Sequence, residues 1–162
     1  MDVALSNVDL DKFIKEVETN GLNMRTAKDI KPTTDIDDLF DNSGHVIYFH
    51  DNNDGSGVGH WITLLRTRNK EYAFIDSFGK SPDYYNKDIM KMMKYNKDKV
   101  KSLEINKKKL QGDKSMVCGK YSIILTALNK KGMKPEDMVN YLKDGGKKEK
   151  SVDKFIVKLF GE

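Results

Sequence analysis

The sequence predicts an α+β fold in which strands occupy the middle of the chain and helices occupy both ends. Alternating apolar residues cluster between residues 45 and 76. Apolar residues at helical spacing lie near residue 10 and again after residue 118. At 162 residues, the chain is expected to form a single domain over residues 1–162, large enough to bury a core without a disulfide or metal staple.

The elements follow in order. Leu10, Phe13, Ile14 and Val17 predict an amphipathic helix near residues 7–20, ended by Asn20-Gly21. Residues 21–44 are polar and irregular, with one helical turn expected over Asp35–Phe40. His45–His50 reads as a strand, and Asp51–Gly59 as a glycine-rich, turn-forming loop. His60–Arg66 and Glu71–Asp76 read as strands joined by a turn at Thr67–Lys70, which makes a hairpin. Ser81-Pro82-Asp83 reads as an N-cap with proline in the first turn of a helix over residues 83–95, whose apolar face is Ile89, Met90, Met92 and Met93. Val100–Ile105 alternates as a further strand. A helix opens at Cys118 and stops near Lys131-Gly132, where Gly132 takes the left-handed cap. Pro135 starts a short helix through Tyr141-Leu142, and Asp144–Lys148 is a flexible break. Ser151 caps a last helix carrying Val152, Phe155, Ile156, Leu159 and Phe160.

Composition excludes several classes. A single cysteine leaves no internal disulfide and no zinc site built on several thiolates, and it suits a reducing intracellular setting. Met1–Leu5 lacks the charged and apolar regions of a signal peptide, and no apolar run approaches the roughly 18 residues that cross a bilayer. A soluble, cytosolic protein without a membrane partner is therefore expected. The net charge of +4 comes from lysine, since Arg25, Arg66 and Arg68 are the only arginines. The runs Lys107-Lys108-Lys109 and Lys147-Lys148-Glu149-Lys150 read first as solvated faces. They are also compatible with weak, non-specific DNA binding, because phosphate contacts need only positive charge. No helix-turn-helix, zinc-finger or RNA-recognition signature is present.

The lone thiol carries the chemistry. Cys118 lies seven residues after Gln111 and opens the apolar run Tyr121–Leu128. A thiol at a helix N-terminus feels the positive end of the dipole, which favours thiolate. The Gln111 amide can donate to an oxyanion forming at a substrate carbonyl. Upstream, Gly59-His60-Trp61 and Phe74–Gly79 supply a base, His60, and an orienting carboxylate, Asp76. The order His, Asp, Gln, Cys is that of a thiol peptidase. In the hairpin, His60 and Asp76 fall at the open ends of paired strands, where opposed Cβ atoms are ~5 Å apart. Gln111 and the Cys118 N–H would form the oxyanion hole. Gly59, Trp61 and Gly119 would line the substrate groove, with the Trp61 ring as a wall.

Taken singly, each residue has a blander reading: a core cysteine, a strand-end histidine, a turn-capping aspartate. It is the ordered set that points to catalysis. His45 and His50 share the region with His60, but their spacing is irregular and lacks supporting carboxylates, so no metal or other cofactor is expected. The eight methionines read as core filler.

At these residues the chain resembles the adenain-like maturation proteases of adenoviruses and the wider group of viral and ubiquitin-like-modifier cysteine proteases. The similarity lies in Gly59-His60-Trp61, in Ile75–Gly79, and in Gln111-Gly112 through Ser115 to Cys118-Gly119. It runs from about His45 to Leu128, roughly half of the chain. The resemblance implies a triad of His60, Asp76 and Cys118 with Gln111 as oxyanion donor. It implies a papain-like core in permuted order, an antiparallel sheet packed on a central helix that begins with the nucleophile. It further implies cleavage after glycine, in Gly-Gly or Gly-X-Gly contexts, of viral capsid and core precursors during virion maturation. The implied location is the host cell cytoplasm or viral factory, with packaging in the virion.

Two features depart from the adenovirus pattern. Asp76 stands where glutamate is usual, as in the ubiquitin-like-modifier branch. With no spare cysteine, an activating peptide cannot be held through a disulfide without consuming the nucleophile, which leaves activation by DNA or by a non-covalent peptide. A monomer is expected. Gly145-Gly146-Lys147 resembles a cleavage context, but self-trimming there is weighed below a simple flexible linker. Two other functions stay open: a ubiquitin-like-modifier deconjugating protease, and a catalytically inactive basic module that binds DNA or capsid.

Overall fold

The computed structural model describes residues 7–19, 21–51, 59–112 and 118–161. Helix α1 (Asn7–Thr19) leads into strand β1 (Met24–Arg25), helix α2 (Ile36–Phe40) and strand β2 (His45–Asp51). Strands β3 (Gly59–Arg68) and β4 (Glu71–Ile75) form the hairpin. Helices α3 (Pro82–Tyr85) and α4 (Lys87–Tyr95) and strand β5 (Ser102–Ile105) follow. Helices α5 (Cys118–Lys130), α6 (Pro135–Lys148) and α7 (Val152–Leu159) complete the chain. The α+β class is observed. Of the loop expected over Asp51–Gly59, Asp51 ends β2 and Gly59 begins β3. Its residues 52–58 and the motif residue Ser115 lie outside the described residues, as do the side chains of Leu10 and Phe13.

The sheet is mixed rather than antiparallel throughout. Its order is β1-β2-β3-β4-β5, with an antiparallel centre β2-β3-β4 and parallel edges, β1 beside β2 and β5 beside β4. The two-residue β1 was not legible, because so short an edge has no alternation to read. Its position is fixed by Asn23, whose side-chain amide donates to the carbonyls of Leu39, Phe40 and His45.

The period-2 pattern sorts the central strands onto two cores. Val46, Tyr48, Ile62, Leu64 and Phe74 face Ile36, Leu39 and Phe40 of α2 and Ile89, Met92 and Met93 of α4. Leu65, Ala73 and Ile75 face the other way, onto Tyr121, Ile124, Leu125 and Leu128 of α5. Behind α5 the same core takes in Met138 and Leu142 of α6 and Ile156 of α7. Helix α5 is thus buried between the sheet and the C-terminal helices. The Thr63 hydroxyl donates to Ser122 Oγ at 2.9 Å, which ties β3 to the first turns of α5.

Two helix expectations need correction. The helix expected over 83–95 is two helices, because Asn86 adopts an extended backbone (φ −155°, ψ 110°) and its side chain caps α4 by accepting from the Asp88 N–H. Ser81 stands at the N-cap of α3 with Pro82 in its first turn, as expected, but makes no side-chain cap bond. The flexible break at Asp144–Lys148 is also absent: α6 runs through to Lys148, with Gly145 and Gly146 buried. A Cβ at Gly145 would overlap the Phe155 ring, and one at Gly146 would overlap Val152. The glycines are there so that α7 can lie against the α6 backbone, and that packing offsets their poor helix propensity of roughly 1 kcal/mol each.

Candidate active site

The start of β3, the end of β4, the turn after β4 and the N-terminus of α5 meet at one end of the central strands. β3 carries His60 near its start, and Asp76 directly follows β4. Thr63 pairs with Ile75, so the register continues to Asp76 opposite Ile62, not opposite His60. The two are diagonal neighbours on one face, a separation that long side chains bridge. They do: His60 Nε2 lies 2.5 Å from Asp76 Oδ1. With Nε2 committed to the carboxylate, Nδ1 is the ring nitrogen left for the Cys118 thiol, with which the imidazole is hydrogen-bonded.

Asp76 is fully buried, and its second oxygen is held twice. Oδ2 accepts the Tyr85 hydroxyl at 2.6 Å and the Lys80 N–H at 3.0 Å. Burial raises the carboxyl, but the bonds from His60 and Tyr85 outweigh it, so the group sits below the usual carboxylate range. The Lys80 bond depends on a tight turn in which the Gly79 N–H returns to the Asp76 carbonyl at 2.8 Å. Gly79 has φ +74° and lies against the backbone of residues 107–109, which is why the sequence needs glycine there.

Aromatic rings enclose the imidazole. Phe78 stacks on it at 4.5 Å between centroids and 25° between planes, and Tyr85 at 5.5 Å and 27°. Burial works against the imidazolium, yet the Asp76 bond, the Cys118 bond and their charges carry His60 up to about 9.

Cys118 opens α5 and is 8% exposed. Burial pushes its thiol up, but the bond from His60, the Trp61 backbone N–H, the imidazolium charge and the Gly119 N–H bring it below the ordinary thiol value. Thiolate and imidazolium therefore stabilise each other, and the helix dipole adds in the same direction.

Gln111 is 1% exposed and held by the turn after Asp76. The Ser77 hydroxyl donates to Gln111 Oε1 at 2.5 Å, and the Ser77 carbonyl accepts the N–H groups of Leu110 and Gln111 at 2.7 and 2.9 Å. With Oε1 accepting from Ser77, the amide is oriented and its NH₂ end carries the donor hydrogens. One short turn thus fixes both Asp76 and Gln111.

Trp61 is half-buried. Its indole lies beside Gly119, whose Cβ position is 3.5 Å from Trp61 Cδ1, and its ring tilts against Phe49 at 4.5 Å. Gly59 pairs with Asp51, and a Cβ there would overlap the Phe49 ring, so it shapes the aromatic wall from behind. His45 and His50 do not join the cluster as ligands. His45 is buried and its Nε2 accepts from the Asn23 N–H, while the His50 ring meets Tyr85 edge-on. Among the described residues, no three histidine, cysteine, aspartate or glutamate side chains could hold a metal ion.

Sequence reasoning missed Tyr85, Phe78 as a stacking partner, and Ser77. Ser77 and Phe78 lay within a quoted motif, but an aromatic in a helix expected over 83–95 gave no signal of contact with Asp76.

No protein-family model matches the chain, and no curated protein matches it. Among solved structures it is similar to "SUMO protease Ulp1 with the catalytic cysteine oxidized to a sulfonic acid", at 14% identity and a TM-score of 0.36 over 94% of this chain and 75% of that one. So distant a likeness transfers no residue role to this chain.

Proposed function

We propose that this protein is a cysteine endopeptidase that cleaves after glycine, with Cys118 as nucleophile, His60 as proton carrier, Asp76 as its orienting partner and Gln111 as oxyanion donor. The observation that carries the reading is the convergence of the His60–Asp76 pair on the thiol that begins α5. The Cys118 thiolate attacks the scissile carbonyl carbon, and the carbonyl electron pair moves onto oxygen. The Gln111 NH₂ and the Cys118 N–H stabilise that oxyanion, each donor of this kind being worth about 3–4 kcal/mol in the transition state. As the intermediate collapses, the imidazolium gives its proton to the departing amine and a thioester remains. His60 then takes a proton from water, hydroxide adds to the thioester, and the acid product leaves as the thiolate re-forms. Asp76 keeps Nε2 protonated so that Nδ1 does this work.

The Trp61 indole lies beside Gly119, next to the nucleophile, where it would wall the groove for the residue before the scissile bond. The preference for glycine there rests on the sequence resemblance. The arrangement of a helix-borne nucleophile following the histidine and aspartate strands fits a papain-like core in permuted order. The sequence resemblance supports capsid and core precursors, processed in an infected cell, as the natural substrates.

Incubation of the protein with Gly-Gly and Gly-X-Gly peptides, beside Cys118→Ala, tests the reading. Cleavage after glycine that Cys118→Ala abolishes is expected; undiminished cleavage by the variant overturns the assignment. Modifier-conjugated substrates in a parallel arm separate precursor processing from deconjugation.

A further inference from the structure

The C-terminal helix faces the oxyanion segment. Asp153, in the first turn of α7, uses both carboxylate oxygens away from its own helix. Oδ2 accepts the Gly112 N–H at 3.0 Å, and Oδ1 accepts the Tyr121 hydroxyl at 2.8 Å. The same hydroxyl lies 3.3 Å from the Leu110 carbonyl. Tyr121 is buried in the first turn of α5, three residues after Cys118. Residues 110–112 thus form a strap gripped from both sides. Ser77 holds Leu110 and Gln111 on the sheet side, and Asp153, itself held by the Tyr121 hydroxyl, holds Gly112 on the helix side.

We propose that Asp153 is a positioning residue that, with Tyr121, fixes the Gln111–Gly112 strap and so sets the oxyanion donor. The proposal rests on the peptidase reading above. An acidic residue in a first helical turn has a simpler use, since the helix dipole favours it. That use does not require either oxygen to reach another segment, and here both do, across 32 and 41 residues of chain. Gly112 is the position where the strap would otherwise be loosest, because glycine has the widest choice of backbone conformations. Releasing its N–H to water lets the adjoining amide drift, and a displacement of about 1 Å in a catalytic group can cost ~100-fold in rate. Burial and the Asp153 carboxylate push the Tyr121 phenol well above its ordinary value, so the hydroxyl remains a donor throughout the working range. On this view, α6 and α7 complete the catalytic apparatus, and their packing through Gly145 and Gly146 has a catalytic consequence.

The test compares two reactions of one thiol. Alkylation by iodoacetamide displaces iodide and forms no oxyanion, so it reads the thiolate alone. Hydrolysis of a Gly-X peptide needs thiolate and oxyanion donor together. In Asp153→Ala, alkylation at pH 7 should match wild type within about twofold, while kcat for hydrolysis falls roughly tenfold or more with KM little changed. Asp153→Asn keeps one acceptor and should fall between. Tyr121→Phe removes only the hydroxyl and gives the same split should Asp153→Ala fail to fold. Unchanged hydrolysis in these variants overturns the proposal. So does a parallel loss of alkylation, hydrolysis and melting temperature, which would make Asp153 a general stabiliser. Wild-type protein that hydrolyses none of the peptides overturns the peptidase reading instead, and the catalytic role of Asp153 with it.

Discussion

Asp76 divides its two oxygens between His60, 2.5 Å from Oδ1, and the Tyr85 hydroxyl, 2.6 Å from Oδ2. Tyr85 also lies nearly parallel to the imidazole. One side chain therefore aims the carboxylate and helps to bury the ring that the carboxylate orients. Tyr85→Phe keeps the ring and removes the donor. Hydrogen bonds to charged groups are worth about 1.5–3 kcal/mol, so kcat is expected to fall roughly tenfold or more. KM should change little, because Tyr85 is argued to act through Asp76. Steady-state kinetics on one glycine-containing peptide checks this; a KM effect alone would place Tyr85 on the substrate instead.

The anchor of Gln111 yields a graded pair. Gln111→Ala removes the donor itself and should cost ~100–1,000-fold in kcat. Ser77→Ala only frees Oε1 to rotate, so its loss should be smaller, roughly tenfold. Both variants should alkylate at Cys118 like wild type. If Ser77→Ala proves as damaging as Gln111→Ala, the hydroxyl is doing more than holding the amide.

The pH profile follows from the ion pair. Hydrolysis needs thiolate and imidazolium together. Activity should therefore fall as pH rises through about 9, where His60 gives up its proton. The acid limb is set by the lowered Cys118 thiol and should lie below the ordinary thiol midpoint of about 8.5. Stability follows the same linkage. His60 binds its proton more tightly folded than unfolded, so its contribution is complete below about pH 6.5 and is lost as pH rises through about 9. Asp76 has the opposite sign: its contribution is present above the unfolded carboxyl value of ~3.9 and is lost as pH falls. Melting curves of wild type and His60→Ala across pH 6–10 (roughly the span of the two histidine values) measure the first effect, which the variant should lack.

The buried glycine pair makes a structural prediction. Gly146→Ala places a methyl against Val152 and should destabilise the fold by about 1–3 kcal/mol, the usual cost of overpacking. A helical, buried Gly145-Gly146 is also a poor substrate for self-cleavage, since a protease binds extended chain. Mass spectrometry of aged protein should show no break after residue 146; a fragment ending there would mean that α6 opens.

The strands and the nucleophile's helix were legible because their signals are local. Alternation placed β2, β3 and β4, and the apolar run after Cys118 placed α5. The four candidate residues could be singled out by their order along the chain, and the hairpin explains why His60 and Asp76 meet. What was not legible depends on contacts between distant segments. The glycine pair reads as a break until Phe155 and Val152 are seen packed on it. Asp153 reads as a helix-terminal acid until its oxygens are traced to Gly112 and Tyr121. Tyr85 reaches Asp76 from the end of α3, and that helix ends where it does because Asn86 interrupts what looked like one continuous helix. The parallel pairing of β1 and β5 is likewise a tertiary choice, since neither strand's sequence encodes direction.

The central claim is that Cys118 is held as a thiolate by His60, and the rate of alkylation of Cys118 against pH tests it most directly. The wild-type midpoint should lie below the ordinary thiol value near ~8.5, and His60→Ala should shift it up to that value. A wild-type midpoint already at that value, unmoved by His60→Ala, would contradict it.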